Sequence, residues 1–300
     1  MSTSSPSREI GSVQLDSGAG QPKSRKARNA SLVVGALITL AMIAIAIISV
    51  VWTPQDVGAA AVAPRQRHLP LGTEGYPLGT DHLGRDTLSQ IMVGIRTSFI
   101  VSTIGVAFAM VVGMSGGLAA ATRRGMTDES VMRVVDLFMA FPGILFALVL
   151  AAVMGIGINA TIVALTVFFA PDFARVSRSA ALRVLQEDFV MAARIYGRKS
   201  VQIVFKHVIP NIMSVVIVQF TLLFALGIIV EAALSFLGVG VVRPGLSLGM
   251  MLREAQTHSG GAFGIAFWPG ITIVIAVVGL NLLGDGLRDI LDPKLSRSGR

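Results

Sequence analysis

Long charge-free runs punctuate the chain. Residues 31–52 and 97–122 contain no Asp, Glu, Lys or Arg, and each is long enough to cross a hydrocarbon layer, which takes about 20 apolar residues in helical form. Residues 137–170 are also charge-free but too long for one crossing. Gly155-Ile156-Gly157-Ile158-Asn159 cuts that run at a point suited to a tight turn, so the pattern predicts one helix near 134–154 and another near 160–178. Two further apolar stretches, near 209–236 and 264–284, bring the expected total to six. The expected class is an all-α polytopic membrane protein.

Two connectors are longer than a link between helices requires. Segment 53–96 starts as an Ala/Pro-rich linker and changes character at Pro77-Leu78-Gly79-Thr80-Asp81-His82-Leu83-Gly84-Arg85-Asp86. Thr87 and Gln90 then have capping-box spacing, and a short interfacial helix leading into helix 2 is expected. Segment 175–206 is charged yet patterned. From Gln186 to Lys199 acids open the segment and bases close it, an order that complements a helix dipole. Gly197 suits the left-handed position just past a helix end. Phe189, Ala192, Ala193 and Tyr196 share one helical face. A second short helix is expected over 200–207, with Pro210 starting helix 5 where its missing N–H does no harm. The result would be a compact knob with small residues at its centre, open to close approach by a partner. From physics alone, an amphipathic helix lying on lipid is the other reading.

Composition agrees with a membrane protein. The chain of 300 residues is 53% hydrophobic and 14% charged, against about 25% charged in soluble domains. It has no cysteine, which excludes disulfide frameworks and cysteine-ligated metal sites. The formal charge of +8 could point to nucleic acid, but its placement points to topology. Nineteen of the 25 Lys and Arg lie in the segments that would be inside if the N-terminus is cytoplasmic, and six lie outside; by the positive-inside rule both termini are expected in the cytoplasm. No nucleic acid partner is expected. Residues 1–30 are rich in Ser, Gly and Pro and end in Lys23, Arg25, Lys26 and Arg28, the composition of a disordered basic tail. Helix 1 (31–52) is too long for a signal-peptide core and has no small-residue cleavage site. The expected layout is tail 1–30, helix 31–52, extracytoplasmic loop 53–96, membrane core 97–285 and C-terminal tail 286–300.

The loop makes the resemblance specific. Met191-Ala192-Ala193, then Gly197, then His207-Val208-Ile209-Pro210 resembles the "EAA" loop of binding-protein-dependent ABC importer permeases. The run 78–86, Phe141-Pro142-Gly143, Glu231-Ala232-Ala233-Leu234-Ser235-Phe236-Leu237-Gly238 and Asn281 to Pro293 are similar to the C-type subunit of dipeptide and oligopeptide permeases, a group that includes nickel and glutathione importers. The resemblance covers nearly the whole chain. It implies a type I ABC importer transmembrane domain in a bacterial plasma (inner) membrane, with loop 187–209 seated in an ATPase groove. On this reading Glu187, Asp188, Met191, Ala192, Ala193, Gly197, His207, Ile209 and Pro210 form the coupling element. The family's loop glutamate is Met191 here, and Glu187 or Asp188 would supply the charge. The implied partners are a second, homologous permease subunit, two ATPase domains, an extracytoplasmic solute-binding protein and the lipid bilayer. No cofactor is implied in this chain, with ATP and Mg bound by the ATPase partners.

The chain itself has no GxxxxGK[ST] loop to cradle nucleotide phosphates, and no Ser/His/Asp or Cys/His constellation. It is expected to be a transport subunit and not an enzyme. Ionisable residues within spans are often functional. Glu231 is a candidate for the pathway or a gate, or else an interhelical contact. Asp172 is expected to pair with Arg175 on its own helix, with a pathway role as the alternative. Asp136 is expected to be solvated or paired with Arg133, and Thr127 to cap helix 3. Gly113 and Gly117 have the spacing that lets helices pack closely. His82 between Asp81 and Asp86 offers no metal-site geometry in the sequence. A self-sufficient channel or ion-coupled carrier would predict paired mid-membrane charges and broken repeats, which the sequence does not display.

Overall fold

The computed structural model describes residues 25–58, 63–123, 125–258 and 263–291. Most of the expected N-terminal tail, to residue 24, and the end of the C-terminal tail, 292–300, lie outside them. The described chain is helical: α1 (Arg25–Val51), α2 (Thr87–Arg123), α3 (Met126–Ala140), α4 (Gly143–Met154), α5 (Ile158–Val184), α6 (Asp188–Ile195), α7 (Ser200–Ile203), α8 (Ile209–Leu237), α9 (Leu248–His258) and α10 (Phe263–Leu291). Five helices are long and apolar enough to cross a membrane, and α3 with α4 makes a sixth candidate, bent by 91°.

The bend corrects the expectation of one straight helix over 134–154. Pro142 disfavours helical geometry in the residue before it, and Phe141 is extended (φ −87°, ψ 136°). Gly143 then restarts the helix, so Phe141-Pro142-Gly143 is a hinge between two half-helices and not a segment inside one. The expected interfacial helix is corrected as well. Residues Thr87–Arg123 form one helix of 37 residues, about 55 Å long, because no proline interrupts them. Its cap is Asp86, whose Oδ2 accepts from the Ser89 amide at 2.8 Å and the Ser89 hydroxyl at 2.6 Å. Gln90 does not reach back to the cap; its Nε2 donates to Asp81 Oδ2 at 3.0 Å.

Packing is organised around two close approaches. α2 runs along α5, where Gly113 and Gly117 face the backbone of Ala170 and Ala174 with no side chain between. α1 runs along α10, where Gly35 faces the backbone of Leu282 and Leu283, and Gly279 and Gly286 make room for Ile38 and Leu32. In lipid the tails are as apolar as the side chains, so tight van der Waals contact has to supply much of the attraction. One core lies among α2, α5, α8 and the 185–208 segment, centred on Leu165, Phe169, Phe173 and Ile212. A second lies among α1, α2, α8, α9 and α10, centred on Ile95, Ile228, Leu248 and Leu280.

The bundle therefore has two unlike ends. One, the knob end, carries residues 185–208. The other, the cap end, carries loop 63–86 and residues 238–258. Cap hydrogen bonds such as Ala63 N to Leu83 O (3.0 Å), His68 N to Asp81 O (3.2 Å) and Thr87 N to Gly79 O (3.1 Å) fold 63–86 into a lobe over the start of α2.

Candidate functional site

The knob is built from α6, α7 and a π-helical turn, Val204–Val208, that leads directly into α8. The expected order of acids and bases is present, with Asp188 in the first turn of α6 and Arg194 in the last. Gly197 has φ +72°, a conformation that costs an L side chain but not glycine. Around it Gly197 N reaches Arg194 O (2.9 Å) and Arg198 N reaches Ala193 O (3.2 Å), which satisfies the end of α6.

The knob's packing face differs from the expected one. Val190 and Ala193 are buried against the bundle with Ile203 and Val208, whereas Phe189, Ala192 and Tyr196 remain outside. Helical periodicity places Ala193 with Ala192 and Tyr196, but the bundle claims the adjacent stripe. What is offered to a partner is Phe189, Ala192 and Tyr196 with Met191, Ile195 and Phe205, all exposed. Tyr196 and Ile195 are each 86% exposed. The side chains of Glu187 and Asp188 are exposed at the mouth of α6. The rings of Phe189 and His207 lie 6.0 Å apart, joining α6 to the π-helical turn, and Asn211 Nδ2 donates to the His207 carbonyl at 2.6 Å. Ile209 is half-buried and Pro210 exposed, with Pro210 in the first turn of α8 as expected.

Ion pairs next to the knob depart from the local pairings. Arg175 donates to Asp136 at 2.5 Å, across α5 to α3, and not to Asp172. Arg133 pairs with Glu129 at 2.6 Å, so Asp136 is held by Arg175 and not by Arg133. Arg178 grips Asp128 with two hydrogen bonds, 2.5 and 2.6 Å. Gly125, not Thr127, precedes α3, because Thr127 is already one residue inside it. Together the two pairs strap α3 to the part of α5 that leads into the knob. Asp172 is half-buried with no hydrogen-bond or ion-pair partner among the described residues.

Glu231 is fully buried near the cap end of α8. Its Oε1 accepts from Ser235 Oγ at 2.7 Å, and Ser235 Oγ accepts in turn from Val241 N at 3.0 Å. Ser98 of α2 and Ser247 before α9 lie beside the carboxyl, yet Oε2 has no well-formed hydrogen bond. The residue therefore sits at an interhelical knot and lines no open passage in this conformation. Glu231→Gln keeps an acceptor for Ser235, and the thermal stability of the purified complex is expected to change by less than about 1 kcal/mol. Glu231→Ala removes the acceptor and leaves a void, with an expected loss of about 2–4 kcal/mol. Equal losses in the two variants would show that the carboxyl charge, and not the hydrogen-bonded packing, holds the knot.

The cap contains a polar network that the sequence motif did not explain. Glu254 is held by Arg243 through 2.8 and 2.6 Å hydrogen bonds. Asp81 Oδ1 accepts from Leu83 N and Arg85 N, both 2.8 Å. Burial, with Arg243 nearby, lowers the Arg85 pKa from its ordinary value, and Asp81 and Glu254 partly offset this. Asp81, His82 and Glu254 bring potential ligand atoms within 4.8 Å of one another, but both carboxylates are already engaged by these protein donors.

Residues 113–297 match the family described as binding-protein-dependent transport system inner membrane component. The chain is 37% identical over 227 residues to the di/tripeptide transport system permease protein DppC of Pseudomonas aeruginosa, covering 76% of this chain and 75% of that one. It is 38% identical over 263 residues to the glutathione transport system permease protein GsiD of Pectobacterium atrosepticum, covering 88% and 87%. It is 35% identical over 268 residues to the dipeptide transport system permease protein DppC of Alkalihalophilus pseudofirmus, covering 89% and 87%. Among solved structures, an inward-facing form of the MetNI methionine ABC transporter shares the fold, with TM-score 0.56 and 21% identity over 66% of this chain and 94% of that one.

Proposed function

Because the chain belongs to the family of inner membrane components of binding-protein-dependent transport systems, we propose that it is one of two membrane-spanning subunits of an ATP-driven importer of dipeptides or short oligopeptides. The observation that carries this reading is the knob. Its buried stripe, Val190, Ala193, Ile203 and Val208, fixes it to the bundle. Its exposed apolar residues stand on a segment far too short to span a membrane, next to exposed Glu187 and Asp188. A rigid base with an apolar crown suits a groove in a partner protein, and the acids would meet basic residues there in place of the glutamate absent at Met191. The knob end then faces the cytoplasm, with both chain termini on that side, and the cap end meets the solute-binding protein. Two ATPase domains and a second, homologous permease complete the assembly.

The mechanism follows from what the knob is joined to. The π-helical turn runs into α8 without a loop, and the Arg175–Asp136 and Arg178–Asp128 straps join α5 to α3. A partner that closes on the knob pulls α8 and α5 together, and α3 follows. The hinge at Phe141-Pro142 lets α4 change its angle relative to α3. α2 moves with α5 because their backbones touch at Gly113 and Gly117. Asp172, half-buried near mid-bundle and without a hydrogen-bond partner among the described residues, is the candidate to face the pathway as the helices reorient. Glu231 acts at the cap-end gate, where the knot of α2, α8 and α9 must hold or loosen.

The identity to a glutathione permease supports a second reading in which the solute is glutathione, and nickel complexes fit the same machinery. The test is ATP-driven uptake into vesicles holding this chain with its co-purifying subunits and binding protein, using labelled dipeptides, oligopeptides, glutathione and nickel in turn. Saturable, ATP-dependent dipeptide uptake is the expected result. Uptake of glutathione or nickel alone would move the assignment to that solute. Uptake driven by an ion gradient without ATP would overturn the importer reading.

A further inference from the structure

At the cap end a groove opens between α1, α2 and α8. Its volume is ≈ 490 Å³, and its walls include Ile43, Ile47 and Val50 of α1, Ile100 and Ile104 of α2, and Phe224 of α8. Arg96 stands at its head. From Arg96 to Ile104 the groove follows α2 for about 12 Å, most of the depth of one leaflet's hydrocarbon, about 15 Å. We propose that this groove binds an anionic phospholipid, with the phosphate on Arg96 and one acyl chain in the groove.

Three observations carry the proposal. The first is the level of Arg96 relative to the membrane. It is the last charged residue before the charge-free run 97–122. Its Nη1 donates to the Ser49 carbonyl at 2.8 Å, three residues before Trp52, which is exposed at the end of α1. An exposed tryptophan at a helix end marks the headgroup region. The second is that, among the described residues, no carboxylate pairs with Arg96 and its Nε and Nη2 have no acceptor. A guanidinium with free N–H groups matches a phosphodiester in geometry and charge. The third is the groove itself. Ile47, Val50 and Ile100 are exposed along it, so it opens sideways toward lipid. A simple capping role at the end of α1 would use one donor and give the groove no occupant. With no acid among the described residues pairing Arg96, the head of the site has a net positive charge, which selects an anionic over a zwitterionic headgroup.

The proposal depends on the chain spanning a bilayer and not on which solute it carries. The test uses the assembled complex in nanodiscs of phosphatidylcholine mixed with phosphatidylglycerol, and measures the retained lipid by native mass spectrometry. Wild type should enrich phosphatidylglycerol. Arg96→Gln should lower that enrichment about fivefold, the effect of one cation near a charged surface, and Arg96→Lys should lower it less. Ile100→Trp fills the groove and should reduce retention of both lipids without changing the preference. Thermal midpoints identify any variant that fails to fold, and the independent Ile100 variant then decides. Wild type without enrichment, or enrichment that survives Arg96→Gln, overturns the proposal. So does a cysteine cross-link from position 100 to a helix of the partner permease, because protein would then fill the groove.

Discussion

Gly113→Leu will prevent the complex from accumulating in the membrane, while Gly116→Leu on the same helix will be tolerated. A Cβ at Gly113 would collide with the Ala170 carbonyl oxygen and lie 2.7 Å from Phe173 Cβ. A Cβ at Gly116 meets nothing nearer than Val131 Cγ1 at 3.8 Å. Overpacking a side chain against other side chains costs about 1–3 kcal/mol because rotamers can give way. Here the obstacle is backbone, so the helices themselves must separate, and the expected cost is at least about 3 kcal/mol. Separation would also carry Gly117 away from Ala174 and loosen the seam that transmits motion from α5 to α2. Membrane yield and thermal midpoint of the three proteins would decide the matter. Similar behaviour of the Gly113 and Gly116 variants would mean that α2 and α5 do not touch as described.

The spans were legible because charge has nowhere to go in lipid. The charge-free runs, the turn at 155–159 and the left-handed Gly197 all follow from local rules. The bend at Phe141-Pro142 was also written in the sequence, since a residue before proline resists helix, but the uninterrupted apolarity of 137–154 disguised two half-helices as one. The continuity of α2 was missed for the opposite reason, because a plausible capping pair at Thr87 and Gln90 suggested a separate element. Asp128 and Arg178 are 50 positions apart, and Asp136 and Arg175 39 apart. No local spacing favours such pairs over the nearer choices Arg133 and Asp172. Polar residues thus resolve into two kinds. Asp86 and Gly197 act through their own neighbourhood and can be read from it. Arg175, Arg178 and Arg243 are defined by a partner that only the packed elements supply.

The neighbouring alanines of the knob separate folding from docking. Ala193 faces the bundle with Val190, while Ala192 is exposed, although both lie in the same short helix. Ala193→Arg would bury a charge with no partner and should destabilise the knob, so a transport defect in that variant would not identify a docking surface. Ala192→Arg leaves the buried stripe alone, and a substitution at an exposed helical site is expected to change stability by no more than about 0.5 kcal/mol. It places a long cation at the centre of the exposed crown. If that crown seats in an ATPase groove, close approach is lost, at the cost of about 2–4 kcal/mol typical of a central interface residue. Coupled uptake should then fall about thirtyfold or more. Tyr196→Asp, which removes the most exposed aromatic of the crown and adds a charge, should act in the same direction. Three readings on each purified complex test this: thermal midpoint, retention of the ATPase subunits, and ATP-driven uptake. The docking assignment predicts an unchanged midpoint with lost uptake for Ala192→Arg, and a lowered midpoint for Ala193→Arg. Normal uptake in Ala192→Arg and Tyr196→Asp would place the ATPase contact elsewhere on the knob end, with the exposed Arg175–Asp136 pair between α5 and α3 the next surface to examine.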